Sequence, residues 1–305
     1  EMMRQIDESV VKARFDKAVE GIVITGAGEK FFCAGANIGM LSEADPDWKY
    51  CFCLHANETL SRLEQTPKLV IAALNGHTVG GGLEIALSAH YRVAQPSAKV
   101  GLPEVHLGLI PGAGATQRLP RLIGVDPSLD LITSGRQVKA AEAESLGIVD
   151  QVTEGDPEDV GVAYAENLIA TNAPRRPVSE MAAPAPIDWD AAYDGTLKKG
   201  RGQISPAQAV RAVQAAAELP FDEGMLAERK IFMELMETDQ RQGMIHAFFS
   251  ERAVGNLPEL KGVEPRALQS IGIIGGGTMG AGIATAALLA GFNVVLIEMK
   301  EDAAE

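Results

Sequence analysis

Residues 21 to 25, Gly-Ile-Val-Ile-Thr, and residues 69 to 74, Leu-Val-Ile-Ala-Ala-Leu behind Pro67, are short unbroken apolar runs. Runs of that length bounded by glycine and proline predict buried strands. Between them the period changes, because Phe52, His55, Ala56, Thr59, Leu60 and Leu63 recur at helical intervals and place one apolar face on a helix over 51–65. Strand, helix, strand, turn and helix in succession define an α/β domain. Further short strands are expected over 91–95 and 98–101, helices over 114–123 and 139–146, and a closing strand over 148–152. The chain opens at Glu1-Met2-Met3 already inside a helical pattern, with no signal-peptide pattern.

After Val152 the pattern weakens. Residues 172–204 hold Pro174, Pro177, Pro184 and Pro186 without a sustained period and read as an extended connection. Ser205 as N-cap, Pro206 at the first helical position and Gln208 completing a capping box then start a helix. Two more helices are expected over 223–237 and 239–253, with Phe232, Leu235, Met236, Ile245, Phe248 and Phe249 as buried faces docking on a partner domain. The last segment reads as strand 271–274, glycine turn 275–280, helix 278–290 and strand 293–297. The expected organisation is therefore a domain over 1–171, a linker over 172–204, docking helices over 205–268 and a nucleotide-binding start over 269–305.

Composition narrows the function classes. A net charge of -14 and a pI near 4.9 argue against nucleic acid and anionic membrane as partners. The span from Ile271 to Ile297 is uncharged and long enough for a bilayer, but its Gly275, Gly276 and Gly277 suit a tight turn. Three cysteines, Cys33, Cys51 and Cys53, lack paired zinc spacing and read as free thiols in a reducing, cytoplasmic setting. His55, His77, His90 and His106 show no ligand spacing, and His246 reads as helix packing, so no metal is expected.

The glycine turn carries candidate chemistry. Residues 275–280, Gly-Gly-Gly-Thr-Met-Gly, fit GxGxxG after a strand and at a helix start, with Glu298 18 positions beyond Gly280 at the end of the next strand. Gly275 allows the turn, Gly277 the approach of a pyrophosphate and Gly280 close packing, while N–H groups near Met279 face the phosphates. Glu298 accepts the ribose hydroxyls and repels a 2'-phosphate, so NAD is expected rather than NADP. A glycine-rich packing motif is the competing reading.

A second constellation lies earlier. Asn75-Gly76-His77-Thr78-Val79-Gly80-Gly81-Gly82-Leu83-Glu84 brings a carboxylate next to three glycines at a helix start, and Glu104 follows Leu102-Pro103. Two carboxylates beside exposed backbone N–H groups suit the addition or removal of water across an activated double bond; either alone reads more readily as a helix-dipole partner or a solvated charge. Lys30-Phe31-Phe32-Cys33-Ala34-Gly35-Ala36-Asn37-Ile38 is a small-residue loop directly after a strand, which by composition alone reads equally as a plain turn.

Taken together, that loop, NGHTVGGGLE and LPEVHLGLIPGAGATQRL resemble the crotonase, or enoyl-CoA hydratase/isomerase, superfamily from about Gly21 to Val152. The resemblance implies a ββα superhelix. It also implies that the N–H groups of Ala36 and Gly81 form an oxyanion hole for a coenzyme A thioester, and that Glu84 and Glu104 hold the water between them. The sequence departs from the family at Asn37, often Asp, and at Ala115, commonly Gly, and the strands that usually open the fold are not in it. With LPFDEG, HAFFSER and IGIIGGGTMGAGIA following, the whole order resembles the α subunits of multifunctional fatty-acid β-oxidation enzymes. This implies a 2-enoyl-CoA hydratase followed by the first βαβ of a Rossmann-type, NAD-dependent 3-hydroxyacyl-CoA dehydrogenase. It also allows a thiolase subunit as partner and an oligomeric assembly. The alternatives are a Δ3,Δ2-enoyl-CoA isomerase alone, or a non-catalytic CoA-binding fragment; weak or no NAD binding is expected of this chain.

Overall fold

A computed structural model describes residues 1–264 and 266–299; residues 300–305 of the expected nucleotide-binding start lie outside them. The chain divides into two compact units, Glu1–Ser250 and Glu251–Glu305.

The first unit is built from repeated turns in which each pair of strands splits between two sheets. After α1 (Met2–Phe15), β1 (Gly21–Thr25) and β2 (Phe31–Cys33) lead into α2 (Ile38–Glu43) and α3 (Pro46–Glu64). The next turn comprises β3 (Leu69–Leu74), β4 (His77–Val79) and α4 (Gly81–Leu87). The third has β5 (Tyr91–Ala94), β6 (Lys99–Gly101), a 3-10 helix (Pro103–Leu107), α5 (Ala115–Ile123) and α6 (Val125–Ser134). Finally β7 (Gln137–Lys139), α7 (Ala140–Ser145) and β8 (Gln151–Val152) close the two sheets. One sheet runs β1-β3-β5-β8, all parallel; the other runs β2-β4-β6-β7, with β7 antiparallel to β6. This is the ββα superhelix that the resemblance implies.

Local chemistry accounts for the helix starts. Asn37 and Asp45 accept from the N–H groups of Met40 and Trp48, with Pro46 at the first position of α3. Every residue of β3 is buried, as a central parallel strand requires. β1 lies nearer an edge and is only half-buried, a correction to the sequence reading of GIVIT.

Other expectations also change. The closing strand shrinks to Gln151–Val152. Helix α6 follows α5 with only Gly124 between them, at φ 88, and α8 (Pro157–Ala170) starts at an Asp156 cap; the apolar pattern identified neither. The supposed extended connection contains a 3-10 turn (Val178–Glu180) and α9 (Trp189–Lys199), capped by Asp188. Helices α10 (Ser205–Glu218), α11 (Phe221–Met236) and α12 (Asp239–Val254) then follow. Ser205 is not the N-cap of α10, because Ile204 is already helical at φ -87, ψ -34 and its N–H is taken by Gln240 Oε1 at 2.7 Å. The Ser205 hydroxyl instead donates to Val105 O at 3.3 Å. Phe249 and His246, expected on packed faces, are not buried: Phe249 is 43 % exposed and His246 lies at the surface.

Helix α10 packs on α5 and α6 and helix α11 on α5 and α10, so their buried faces complete the core of the first unit. That core is centred on Leu60, Leu63, Leu74, Leu83, Leu87 and Leu119, all essentially inaccessible. The second unit contains β9 (Ser270–Ile274), α13 (Thr278–Leu289) and β10 (Asn293–Ile297), with β9 and β10 parallel and Ser270 opposite Asn293. No helix among the described residues is long and apolar enough to cross a membrane.

Candidate active site

Gly80 is the N-cap of helix α4 at a φ of 58 that a side chain rarely adopts, and a Cβ there would stand 3.1 Å from Glu104 Oε1. Gly35, at φ 85, abuts the facing turn: a Cβ there would stand 3.1 Å from Gly81 N. The two glycines thus let the Ala36 loop close onto the first turn of α4. A Cβ placed on Gly81 would lie 3.8 Å from Ala36 N and 3.9 Å from Glu84 Oε2. Ala36, Gly81 with Glu84, and Glu104, from three separate stretches of chain, therefore meet at one point. The N–H of Gly81, in the first turn of α4, has no acceptor within its own helix.

The two carboxylates differ in their surroundings. Glu84 is 4 % exposed and its Oε1 accepts from the N–H groups of Ala113, at 2.7 Å, and Ala115, at 3.2 Å. Burial raises its pKa, opposed by those two N–H groups and by Arg118. Glu104 sits in the short 3-10 helix; part of the residue reaches solvent, yet its Oε2 is sealed and has no hydrogen-bonding partner among the described residues. Burial first, then the charge of Glu84, hold its carboxyl well above the usual carboxylate range. Two carboxyls at one point, one held by two N–H donors from another segment and one with a sealed oxygen left without a donor, differ in acidity, which favours a single shared proton.

A third carboxylate joins them. Glu228, on α11, is fully buried, and its Oε1 accepts from Gly114 N at 2.8 Å. Its Oε2 accepts from Thr116 N at 3.1 Å and the Thr116 hydroxyl at 2.6 Å. Sequence reasoning missed it. The available signal was its position within the buried stripe Met225, Arg229, Phe232, Leu235 and Met236, where a charge needs an internal partner. Below the site, Arg118 is locked to Glu64 by bonds of 2.8 and 3.2 Å from Nη2 and Nε, both side chains being inaccessible. Buried His90 accepts from Val70 N at Nδ1, and its Nε2 lies 2.8 Å from Glu64 O. Both ring nitrogens are thus occupied by the backbone. Among the described residues no group of three His, Cys, Asp or Glu could hold a metal.

The glycine turn forms a separate candidate site in the second unit. Gly275 has φ 98, its N–H donates to Ile297 O at 2.8 Å, and a Cβ on Gly280 would collide with Gly275 O. Nothing lies within 4 Å of a Cβ built on Gly275 or Gly277, and Met279 is 77 % exposed. Glu298 accepts from Gly276 N at 2.6 Å and from Met299 N at 2.8 Å. An open glycine turn with a carboxylate at the end of the next strand fits the pyrophosphate and ribose half of a dinucleotide.

Comparison with known proteins agrees with this geometry. Residues 1–177 match the enoyl-CoA hydratase/isomerase family. The chain belongs to that family. Residues 270–305 match the NAD binding domain of 3-hydroxyacyl-CoA dehydrogenase. The chain is 37% identical to a peroxisomal bifunctional enzyme of Cavia porcellus over 96% of its own length and 41% of the relative. It is 33% identical to a peroxisomal fatty acid beta-oxidation multifunctional protein of Arabidopsis thaliana over 95% of its length and 42% of the relative. It therefore spans about two-fifths of the length of these curated relatives. A crystal structure of an enoyl-CoA hydratase from Thermoplasma volcanium is 30% identical, with a TM-score of 0.51, covering 82% of this chain and 86% of that one.

Proposed function

We propose that the first unit hydrates trans-2-enoyl-CoA thioesters to 3-hydroxyacyl-CoA. The observation that carries this reading is the meeting of two carboxylates, buried Glu84 and Glu104 with its sealed Oε2, at the Ala36 and Gly81 backbone. The thioester carbonyl oxygen accepts from the Ala36 and Gly81 N–H groups, and polarisation makes C3 electrophilic. Water held between Glu84 and Glu104 loses a proton to the ionised member of the pair as its oxygen bonds to C3. The C2–C3 π electrons move toward the thioester, and the enolate charge rests on the two N–H groups. The protonated member then delivers a proton to C2, so that one water is added across the bond and the pair again carries one proton. We assign this exchange to the pair rather than to its separate members, because their titrations are coupled.

The chain should convert crotonyl-CoA to 3-hydroxybutyryl-CoA, followed by loss of the conjugated enoyl absorbance. The reading is abandoned if the protein binds the thioester yet never hydrates it at any enzyme concentration, or only moves a 3,4 double bond into conjugation. A second expectation concerns the donors. Gly35→Ala forces a side chain to φ 85 and within 3.1 Å of Gly81 N, so the N–H pair is displaced. A kcat lowered by about 10²-fold, the scale of losing one such donor, is expected; an unchanged kcat in folded protein would remove Ala36 and Gly81 from the mechanism.

For the protein of which this chain forms part, we infer a second activity, NAD-dependent oxidation of the 3-hydroxyacyl-CoA product within fatty-acid β-oxidation. NAD supplies hydride acceptance when bound; Gly275, Gly277, Met279 and Gly280 would hold its pyrophosphate and Glu298 its ribose hydroxyls. Among the described residues this segment holds a single strand-helix-strand unit, whereas a dinucleotide site draws on a larger sheet, so calorimetric titration of this chain with NAD should show no micromolar binding. A micromolar Kd would overturn that expectation. Free Cys33, Cys51 and Cys53 suit a reducing compartment, in keeping with either a cytoplasmic setting or the peroxisomal naming of the relatives. A thiolase subunit and an oligomeric assembly belong to the same reading of the larger protein.

A further inference from the structure

Four consecutive N–H groups at the start of α5 are divided between two carboxylates. Those of Ala113 and Ala115 donate to Glu84 Oε1, while those of Gly114 and Thr116 donate to Glu228. Gln117 Nε2 donates to the Thr116 hydroxyl at 2.9 Å, which directs the hydroxyl proton onto Glu228 Oε2. Both Glu228 oxygens are thereby occupied by this turn. Peptide planes in a turn rotate together, so holding the second and fourth N–H groups also aims the first and third. The carboxylate that does the holding comes from a helix more than one hundred residues later in the chain.

We propose that Glu228 is a positioning residue for hydration, clamping the 113–116 turn so that its remaining N–H groups orient the Glu84 carboxylate. The proposal rests on the reading of Glu84 and Glu104 as the water-handling pair. It also explains why a carboxyl group is placed wholly inside the protein, where a polar group is costly unless it is hydrogen-bonded.

The charges around Glu228 decide what its removal does. Glu84 faces it from α4, Glu104 from the 3-10 helix, Arg118 from α5 and Cys53 from α3. Its neighbour Arg229 turns away to Asn57 Oδ1 at 2.7 Å, and Arg118 is held by Glu64. Burial first, then the Glu84 charge, push Glu228 up to about 8, against the Thr116 hydroxyl, the Gly114 N–H and Arg118. Glu228 in turn raises Glu104. The Cys53 thiol, raised to about 12 chiefly by burial, stays neutral.

Above about pH 8, where Glu228 ionises, Glu228→Gln removes a negative neighbour from both members of the pair, and a carboxyl that loses a negative neighbour ionises more readily. Its amide also keeps only one acceptor oxygen for two N–H groups. The alkaline limb of the kcat–pH profile for crotonyl-CoA should therefore move to lower pH, by about half a unit to one unit, while the acid limb, where Glu228 is already neutral, stays in place. Neutral-pH kcat should fall about tenfold, with KM within about threefold of the parent chain. Thr116→Val keeps the shape but deletes one donor, so Glu228 holds its proton to higher pH and is neutral over more of the range. A smaller displacement in the same direction is expected, and this milder variant carries the test if Glu228→Gln does not fold. The inference is overturned if folded Thr116→Val and Glu228→Gln reproduce the parent pH profile and kcat, or if the loss in Glu228→Gln lies only in KM. Should Glu84→Gln abolish hydration while Glu228→Gln leaves it intact, only Glu228 loses its role. If the parent chain cannot hydrate crotonyl-CoA, the underlying reading fails instead.

Discussion

Glu104→Gln and Glu84→Gln are each expected to lower kcat for crotonyl-CoA hydration by about 10²–10⁴-fold, the range for losing a positioned proton donor or acceptor. The fold should survive both changes. In Glu84→Gln the amide oxygen can stay on the Ala113 and Ala115 N–H groups, which now anchor Glu84 Oε1. Glu104→Gln installs the neutral isostere of a carboxyl that burial and the Glu84 charge already hold toward its protonated form. What each variant loses is the capacity to pass a proton to or from water. The comparison also separates two chemistries. Hydration needs both groups, one to take a proton at oxygen and one to give a proton at C2, whereas shifting a double bond is possible with a single carboxylate shuttling one proton. Loss of hydration in both variants, with unchanged circular dichroism, supports the pair; substantial activity in Glu84→Gln with none in Glu104→Gln would assign the chain to isomerisation.

The second large effect is on stability. Arg118→Met should destabilise the first unit by about 3–5 kcal/mol, because it leaves Glu64 as an unpaired buried charge. Glu64 is 1 % exposed, and Arg118 supplies two of its hydrogen bonds, with Ser179 N donating to Glu64 Oε1 at 2.9 Å. The guanidinium also donates to Ala113 O at 3.3 Å and lies 5.1 Å from the Phe221 ring centroid. Its loss thus also loosens the turn that holds Glu84. Replacing both partners, as in Glu64→Leu with Arg118→Met, should cost less than Arg118→Met alone, since no unpaired charge remains. Urea unfolding followed by tryptophan fluorescence reports this unit, because both tryptophans, Trp48 and Trp189, lie within Glu1–Ser250. A shift of less than about 0.5 kcal/mol for Arg118→Met, the scale of an ordinary surface change, would show that Glu64 finds another partner.

Much of the fold was legible because its signals are local. The run Leu69–Leu74 is apolar throughout since it is buried on both faces, and the change to helical spacing over 51–65 marks α3. The strand, glycine turn and helix at 270–289 can be read in the same way. Elements held by caps and packing were harder to see. Helix α9 starts at Asp188 after a proline-rich stretch with no sustained period, and α6 is separated from α5 by a single glycine. The Ser205 capping box followed a sound local rule, but Gln240 bonds the Ile204 N–H from a different helix and starts the turn one residue earlier.

By itself the sequence determined the α/β class, the family resemblance and the candidate chemistry of Ala36, Gly81, Glu84 and Glu104, because motifs record residue types and spacings along one stretch of chain. Only the tertiary structure decided which N–H groups tether Glu84, that Glu104 Oε2 is left without a partner among the described residues, and that Glu228 shares the turn before α5. The acidity of a buried carboxyl depends on desolvation and on charges a few ångströms away. Those neighbours come from α4, α5 and α11, the last more than one hundred residues further along, and no local pattern specifies their distances.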